Sequence, residues 1–396
     1  MGSISQLYID GFPTFYASKS YYEDIVNLIF TESDFKIFER PLKKRNKVVW
    51  GNSYEDEEGI EEIQAFCSTA KICKERLELF GASYEKAKSD FEDAFKELKE
   101  EEIYDFAKSE MISYEEYLKE IKRNLRSGRM KIDLDSYKDF SDYLLEYDFI
   151  IENQKLELAL WSILYVLEPN AVIEYDLTDI IEAGWTADCP SNLIKTEKII
   201  VLTEGKTDTE FIKSCIKMFF PYLEGFYHFM DFENSKYEAN ASRLVHSIKS
   251  FVGSGIKNRI LGIFDNDSAA LKEIKNLKKV KLPENIKILQ YPLIEFAKDY
   301  PTIGPNGIQK MDINGFAGSI EMYLGRDCLT ENGNFIPIQW TGYIESIQKY
   351  QGVILNKEMI QKKFRKKVKE FDMKNYNKQD WVDLISIIEL MNNAWK

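Results

Sequence analysis

The chain has 396 residues, enough for two or three domains, and its 44% hydrophobic and 14% aromatic content allows apolar cores. Two histidines and five scattered cysteines without a CxxC pair argue against histidine-cluster chemistry, a zinc site and a disulfide framework. No apolar run approaches the roughly 18 residues of a membrane span, and the N-terminus lacks a signal-peptide pattern. We therefore expect a cytoplasmic protein without membrane contact, whose chemistry depends mainly on carboxylates.

The net charge of −13 is unevenly distributed along the chain. Residues 1–195 contain 24 Lys/Arg and 41 Asp/Glu, a balance of −17, whereas residues 196–396 contain 29 and 25, a balance of +4. A phosphate backbone is therefore expected against the second half.

The first 190 residues predict a small β-rich region over 1–52 and a helical domain over 53–190. The runs QLYID, TFYAS and KVVWGN are typical of short strands, with Lys43, Lys44 and Arg45 in a hairpin loop. Four segments predict helices: IEEIQAFCSTAKICKERLELF, with Gly81 as its C-cap, SYEKAKSDFEDAFKELKEEEIYDFAKSE, SYEEYLKEIKRNL and LELALWSILYVL.

The second half alternates between two patterns. KIIVLTE, GFYHFMDF, NRILGIFDND and NIKILQYP are typical of strands. Between them, TDTEFIKSCIKMFF, SRLVHSIKSFV ended by Gly253, and AALKEIKNLKKV predict helices. This alternation predicts a mostly parallel sheet over 195–330. We expect a helical segment over 331–396, in which MIQKKFRKKVKEF is basic and amphipathic.

Two of the predicted strands end in acidic turns. The first is followed by Glu204-Gly205-Lys206-Thr207-Asp208, and a later one by Asp265-Asn266-Asp267. Parallel strands end at the same edge of a sheet, where ligands bind, so these carboxylates are expected to lie close together. Clustered carboxylates repel each other unless a cation neutralises them, and Mg²⁺ suits an oxygen-only site. Asp267 has an alternative role, as the N-cap of the helix that starts near Ala269.

Glu-Gly-x-x-Asp after one strand and Asp-x-Asp after another resemble the TOPRIM fold of topoisomerases, bacterial primases and overcoming-lysogenization-defect nucleases. The resemblance implies that Glu204 is a metal ligand or general acid–base and that Asp265 and Asp267 hold Mg²⁺ (or Mn²⁺). Asp208 matches the nuclease-type pattern. TOPRIM nucleases often add a later acidic residue, which Glu321 or Asp312 would supply.

The whole chain is also similar to bacterial HEPN/TOPRIM-associated proteins. The resemblance implies a multidomain α/β plus α fold class: a TOPRIM-like, mostly parallel sheet flanked by helices, preceded by a small β-rich region and a helical bundle. Two features depart from the families' patterns. Ser268-Ala269-Ala270 stands where TOPRIM proteins commonly have a glycine, and the helical middle lacks the histidine of HEPN ribonucleases. The helical bundle is therefore expected to be structural.

These features predict a Mg²⁺-dependent endonuclease that acts on DNA or structured RNA. The resemblance implies an effector of anti-phage defence, with an ATPase supplied in trans because the chain has no P-loop. Lys206, Lys363, Lys366 and Lys367 are candidate nucleic-acid contacts, with a merely solvated helix face as the alternative for the last three. The alternative function is a non-catalytic TOPRIM-fold scaffold that partners such an ATPase. A homo-oligomer is compatible with either function.

Overall fold

The computed structural model describes residues 3–52, 54, 57–100, 113–127, 154–186, 193–194, 198–230 and 240–396. The chain divides into two compact units. The first unit comprises Met1–Glu197 together with Trp395–Lys396, and the second comprises Lys198–Ala394. No helix in the described part of the chain is both long and apolar enough to cross a membrane.

The first unit is built on a five-stranded antiparallel sheet with the order β2-β1-β5-β4-β3. Its strands are β1 Ile4–Ile9, β2 Phe12–Ser18, β3 Phe35–Pro41, β4 Ile60–Thr69 and β5 Val172–Asp176. The helices are α1 Glu23–Ile29, α2 Lys47–Trp50, α3 Ala70–Leu79, α4 Tyr84–Glu100, α5 Tyr114–Ser127, α6 Leu156–Tyr165 and α7 Thr178–Glu182. One apolar core, which includes Phe66, Leu77 and Trp161, joins sheet and helices.

The helix predicted from residue 60 is wrong over its first half, because that half is strand β4. The strand pairs with β3 on one side and β5 on the other, and this long-range pairing overrides the local helical pattern. Helix α3 begins only at Ala70, where the Oγ1 atom of Thr69 accepts a hydrogen bond from the Ile72 N–H over 3.4 Å. Gly81 follows this helix with a φ of +86°, as the sequence predicted.

The sequence predicted separate domains at 1–52 and 53–190. In the structure, β4 and β5, which lie beyond residue 52, belong to the same sheet as β1, β2 and β3. KVVWGN contributes helix α2 rather than a strand, and the guanidinium of Arg45 lies 4.5 Å from the ring centroids of both Trp50 and Tyr54. Lys43 and Lys44 lie in a single 3₁₀ turn after β3. The predicted helical stretch over 101–112 lies outside the described residues.

The second unit contains a four-stranded parallel sheet with the order β10-β8-β6-β7, as the alternating pattern predicted. Its strands are β6 Ile199–Thr203, β7 Tyr227–Phe229, β8 Ile260–Phe264 and β10 Ile286–Gln290, and the short strand β9 Asn266–Asp267 precedes β10. Helices α8 Lys206–Phe219, α9 Ala241–Ser254 and α10 Ser268–Leu277 connect the strands. Helix α9 ends at Gly255, whose φ is +65°, rather than at the predicted Gly253.

The rest of the second unit contains another four-stranded sheet, with the order β12-β11-β16-β17. The strands of this region are β11 Tyr300–Gly304, β12 Gly307–Met311, β13 Ala317–Gly318, β14 Thr330–Glu331, β15 Asn334–Phe335, β16 Ile338–Ile344 and β17 Lys349–Ile354. The helices are α11 Arg326–Leu329, α12 Lys357–Lys369 and α13 Val382–Asn392.

The prediction of a helical segment over 331–396 differs from the structure in its first third, which contains strands β15, β16 and β17. Strands β16 and β17 are rich in aromatic and β-branched residues and pair with each other, and β16 also pairs with β11. The predicted boundary at residue 330 falls inside the second compact unit.

Candidate metal centre

Strands β6 and β8 are neighbours in the parallel sheet and end side by side, with Thr203 paired with Ile263. Glu204 directly follows β6, and Asp265 directly follows β8. The Oε1 atom of Glu204 accepts a hydrogen bond from the backbone N–H of Asp265 over 2.9 Å. The two acidic turns predicted from the sequence are thus in direct contact.

Asp208 is buried in the first turn of α8. The hydroxyl of Tyr291 donates a hydrogen bond to its Oδ1 atom over 2.5 Å. Its Oδ2 atom lies so near the backbone of Gly205 that a Cβ there would be 2.9 Å away. The φ of Gly205 is −141°, an ordinary extended value, so this glycine serves the close approach of the Asp208 carboxylate rather than an unusual turn.

Asp267 serves as the N-cap of α10, the alternative role that its sequence position allowed. Its Oδ1 atom accepts a hydrogen bond from the Ala270 N–H over 2.8 Å. Its Oδ2 atom accepts another from Nε2 of Gln351 over 2.7 Å. The Oε1 atom of Gln351 in turn accepts from the Ala269 N–H over 2.9 Å, so the amide group has a defined orientation. Both oxygens of Asp267 are therefore already engaged.

Asp265 has the opposite character. Its Oδ1 atom is buried and has no hydrogen-bond partner among the described residues. An unpaired carboxylate oxygen in the interior is costly, because it loses its hydration without a replacement. Burial raises the pKa of Asp265, and the charges of Asp208 and Glu204 raise it further.

Glu321 is buried in the 3₁₀ turn Ile320–Tyr323, with an exposed fraction of 2%. Its Oε2 atom lies 3.3 Å from Nζ of Lys357 and accepts from Ser319 Oγ over 2.6 Å, while Oε1 accepts from Gln361 Nε2 over 2.8 Å. Burial alone would raise its pKa, but Lys357 and these hydrogen bonds lower it. Glu321 therefore already has a cationic partner.

Asp312, the other later acid, is exposed. Its Oδ1 atom accepts hydrogen bonds from the backbone N–H of Asn314 over 2.9 Å and from Nδ2 of the same residue over 3.0 Å. These contacts form a local turn, so Asp312 has the structural role common for aspartate in loops.

The pKa values of the four main carboxylates are raised. Burial, the largest cause, raises the pKa of Glu204 to about 8, although the Asp265 N–H opposes this, and the charges of Asp267 and Asp208 add to the increase. Burial raises the pKa of Asp208 to about 6, against the hydrogen bond from Tyr291. For the same first reason the pKa values of Asp265 and Asp267 are also raised. The cluster disfavours its own negative charge, and a bound cation would relieve this.

The donor set fits a hard divalent cation in its chemistry. All its atoms are carboxylate oxygens, and the buried Oδ1 of Asp265 has a vacant acceptor position. However, no group of three or more His, Cys, Asp or Glu side chains among the described residues has the geometry of a metal site. Metal binding would therefore require the carboxylates to rotate towards a common point.

The three lysines that were expected to share one face of α12 line the same open pocket but differ in their partners. The Nζ atom of Lys367 donates to Leu324 O over 3.0 Å, to Asp380 O over 2.8 Å and to Asp327 Oδ1 over 2.8 Å. Nζ of Lys363 donates to Thr330 O over 2.5 Å. Only Lys366 extends into solvent, with 74% of its side chain exposed, and it forms a 3.7 Å ion pair with Glu370. Lys363 and Lys367 are engaged by contacts within the second unit, and the prediction that the three lysines contact nucleic acid stays a prediction.

Sequence reasoning missed the residues that support the carboxylates. Tyr291 follows β10, Gln351 lies in β17, and Lys357 and Gln361 lie in α12. Each contacts an acid that is between 36 and 84 residues away in the chain. No local pattern marks such contacts, because they depend on how β17 and α12 pack against the parallel sheet.

The protein has two compact units. The second contains a carboxylate cluster at the carboxyl edge of a parallel sheet. A family model described as HEPN/Toprim N-terminal domain 1 matches residues 1–201, just over half of the chain. The chain therefore belongs to the family of proteins with this HEPN/Toprim N-terminal domain. No curated protein and no solved structure gives a significant match.

Proposed function

We propose that this protein is a Mg²⁺-dependent endonuclease with a TOPRIM-type catalytic domain in its second unit. The observation that carries the proposal is the buried Oδ1 atom of Asp265, which has no hydrogen-bond partner in the described part of the chain and belongs to a cluster of carboxylates with raised pKa values. Such an arrangement is unfavourable for folding alone, and functional sites are where unfavourable groups of this kind accumulate. The family membership supports a nuclease-associated role.

Asp265, Glu204 and Asp208 would hold a Mg²⁺ or Mn²⁺ ion through carboxylate oxygens. The hydrogen bonds that engage both oxygens of Asp267 place this residue at the margin of the ligand set. A bound cation would activate water, orient the scissile phosphate and stabilise the leaving oxygen. Tyr291 restricts the rotation of Asp208. Glu321 would remain paired with Lys357 rather than bind the metal.

Glu204 would be either a metal ligand or the general acid–base of the reaction, the two roles that the TOPRIM resemblance allows. The pKa of Glu204, about 8, belongs to the metal-free protein, and a bound cation would lower it. Because Oε1 accepts from the Asp265 N–H, Oε2 is the atom that would take up or release the proton. Lys206, exposed at the first residue of α8, and Lys366 would contact the phosphate backbone.

The wider role proposed here is that of an effector in anti-phage defence, acting in the cytoplasm under an ATPase supplied in trans. DNA and structured RNA are both candidate substrates. Assembly into a homo-oligomer is part of the same proposal. These elements follow from the resemblance of the sequence to HEPN/TOPRIM-associated proteins.

One observation favours a second candidate, a non-catalytic scaffold that keeps the fold and partners such an ATPase. Asp267 is a fully engaged helix cap, and no ready metal geometry exists among the described residues. A scaffold would bind its partner equally well with Asp265 replaced by asparagine.

A cleavage assay decides between the two. The pure protein is freed of metal and then incubated with supercoiled plasmid and with total RNA, in Mg²⁺, Mn²⁺ or EDTA. We expect cleavage of at least one substrate in a divalent metal and none in EDTA. Asp265→Asn is the test variant, because asparagine keeps the shape of the side chain and the backbone N–H that donates to Glu204. Equal cleavage by this variant would exclude the proposed site, and no cleavage under any condition would favour the scaffold.

A further inference from the structure

Four aromatic residues of the second unit form a continuous row of ring contacts, here called the aromatic strip: Phe316, Trp340, Tyr343 and Tyr350. The ring centroids of Phe316 and Trp340 are 6.0 Å apart, and those of Trp340 and Tyr350 are 6.2 Å apart. The rings of Tyr343 and Tyr350 are 5.0 Å apart and edge-to-face. These distances lie within the range of attractive aromatic pairs.

The end of the strip is open to solvent. Tyr343 is 51% exposed and Tyr350 is 55% exposed, and the two residues are paired directly across strands β16 and β17. Aromatic rings that face each other across two strands of an exposed sheet stabilise each other. Covering the same rings from solvent would add to that stabilisation. Contiguous patches of exposed apolar surface, when large enough, mark interaction sites in soluble proteins.

The strip lies beside the carboxylate cluster. The Oγ atom of Ser268, the residue after Asp267, lies 2.7 Å from the carbonyl oxygen of Tyr350. Gln351, the next residue in β17, donates to Asp267. Phe316 forms a β-bridge with Asp267 itself. A ligand bound on the strip would therefore extend towards the proposed metal centre.

The charges near the aromatic strip indicate which kind of ligand would bind there. The ammonium of Lys349 lies 4.6 Å from the centroid of the Phe316 ring, so a cation accompanies the aromatic surface. The neighbouring carboxylates repel phosphate groups, so a nucleic acid needs a source of affinity near them that is independent of charge. Base stacking on aromatic rings provides such affinity, and the Lys349 ammonium can neutralise a phosphate alongside.

We propose that the aromatic strip binds a single-stranded segment of nucleic acid by base stacking and leads the strand to the carboxylate cluster. The segment must be single-stranded, because paired bases in a duplex already stack on each other and do not expose their faces. The proposal rests on the nuclease function proposed above and narrows its substrate to nucleic acid with unpaired bases.

Binding measured in EDTA tests the strip separately from cleavage. The probes are fluorescently labelled oligothymidylate and oligouridylate of about 12 nucleotides, an abasic oligonucleotide of the same length, and a blunt duplex. We expect both single strands to bind more tightly than the abasic strand and the duplex. The difference between the first two probes shows whether the strip favours DNA or RNA.

The variant that tests the strip is Tyr343→Ala combined with Tyr350→Ala. Loss of one stacked base should raise the dissociation constant for single strands about 5- to 150-fold, and leave binding of the abasic strand unchanged. The double Tyr→Phe variant keeps both rings and should bind as the original does. Tyr16→Ala removes a similarly exposed tyrosine, 52% exposed, from the first unit and should also have no effect.

The outcomes separate this proposal from the nuclease proposal. Single-strand binding that depends on the strip, without cleavage in any metal, would support the strip and overturn the nuclease. Equal affinity for the abasic strand, or an unchanged affinity in the double alanine variant, would overturn the strip even if the protein cleaves. If the double alanine variant instead turned a dimer into a monomer in sedimentation, the strip would be a contact between copies of this chain.

Discussion

The Oε1 atom of Glu204 accepts a hydrogen bond from the backbone N–H of Asp265 over 2.9 Å. This single contact joins the turn after β6 to the turn after β8, although the two residues are 61 positions apart. It also engages one oxygen of Glu204 and leaves Oε2 for other partners. The hydrogen bond therefore fixes one side of the site, whereas Oδ1 of Asp265 has no partner among the residues that the structure describes.

The raised pKa of Glu204 predicts how stability depends on pH without metal. Burial raises its pKa from 4.5 to about 8, so the folded protein keeps a proton that the unfolded chain releases. The contribution of Glu204 to the free energy of unfolding is therefore greatest below pH 4.5 and decreases as pH rises towards 8. In EDTA, Glu204→Gln should gain stability relative to the original protein, on the order of a few kcal/mol over this window.

Urea unfolding at several pH values measures this difference directly. Glu224→Gln is a suitable control, because Glu224 is exposed in the turn before β7. Added Mg²⁺ should stabilise the original protein more than Glu204→Gln. A Glu204→Gln variant whose stability follows the original at every pH would contradict the buried position of Glu204.

Gln351 is predicted to be a positioning residue for Asp267. Gln351→Ala leaves both the Oδ2 atom of Asp267 and the Ala269 N–H without this partner, which should cost about 1–3 kcal/mol. Cleavage should decrease at saturating substrate, because Asp267 would lose its orientation. Gln339→Ala, an exposed glutamine on the adjacent strand β16, is the matched control and should change neither quantity. A cleavage rate for Gln351→Ala equal to that of the control would show that Asp267 needs no such support.

Lys367 and Lys366 should differ sharply in their effect on stability. Lys367→Met removes a charged donor from three oxygens, on Leu324, Asp327 and Asp380, and should destabilise the second unit by about 2–4 kcal/mol. Lys366→Met affects an exposed side chain and should change stability by less than about 0.5 kcal/mol. Thermal unfolding of both variants checks the prediction, and equal melting temperatures would rule out the structural role of Lys367.

Local patterns in the sequence were sufficient to predict the parallel sheet and its acidic edge. Apolar runs such as KIIVLT and NRILGIF form strands β6 and β8, and their carboxyl ends meet because the strands are parallel neighbours. The positions of Glu204 and Asp265 follow from this rule alone. The role of Asp267 as a helix N-cap could also be predicted, because Asp267 directly precedes α10.

Long-range packing determines what the sequence could not predict. The sequence of β4 has a helical pattern. It nevertheless forms a strand, because it pairs with β3 on one side and with β5 on the other. The lysines of α12 have the same local pattern, yet Lys367 contacts the carbonyl oxygens of Leu324 and Asp380, whereas Lys366 forms an ion pair with Glu370. Gln351 contacts the site only because β17 packs beside α10.

Binding of Mn²⁺ to the metal-free protein tests the central claim most directly, because it measures the cluster without any assumption about substrate. In electron paramagnetic resonance, the sharp signal of free Mn²⁺ decreases as the ion binds. The account predicts that the original protein removes this signal in a titration, that Mg²⁺ competes for the site, and that Asp265→Asn and Glu204→Gln bind much more weakly. A titration in which the original protein and Asp265→Asn leave the same amount of free Mn²⁺ would contradict it.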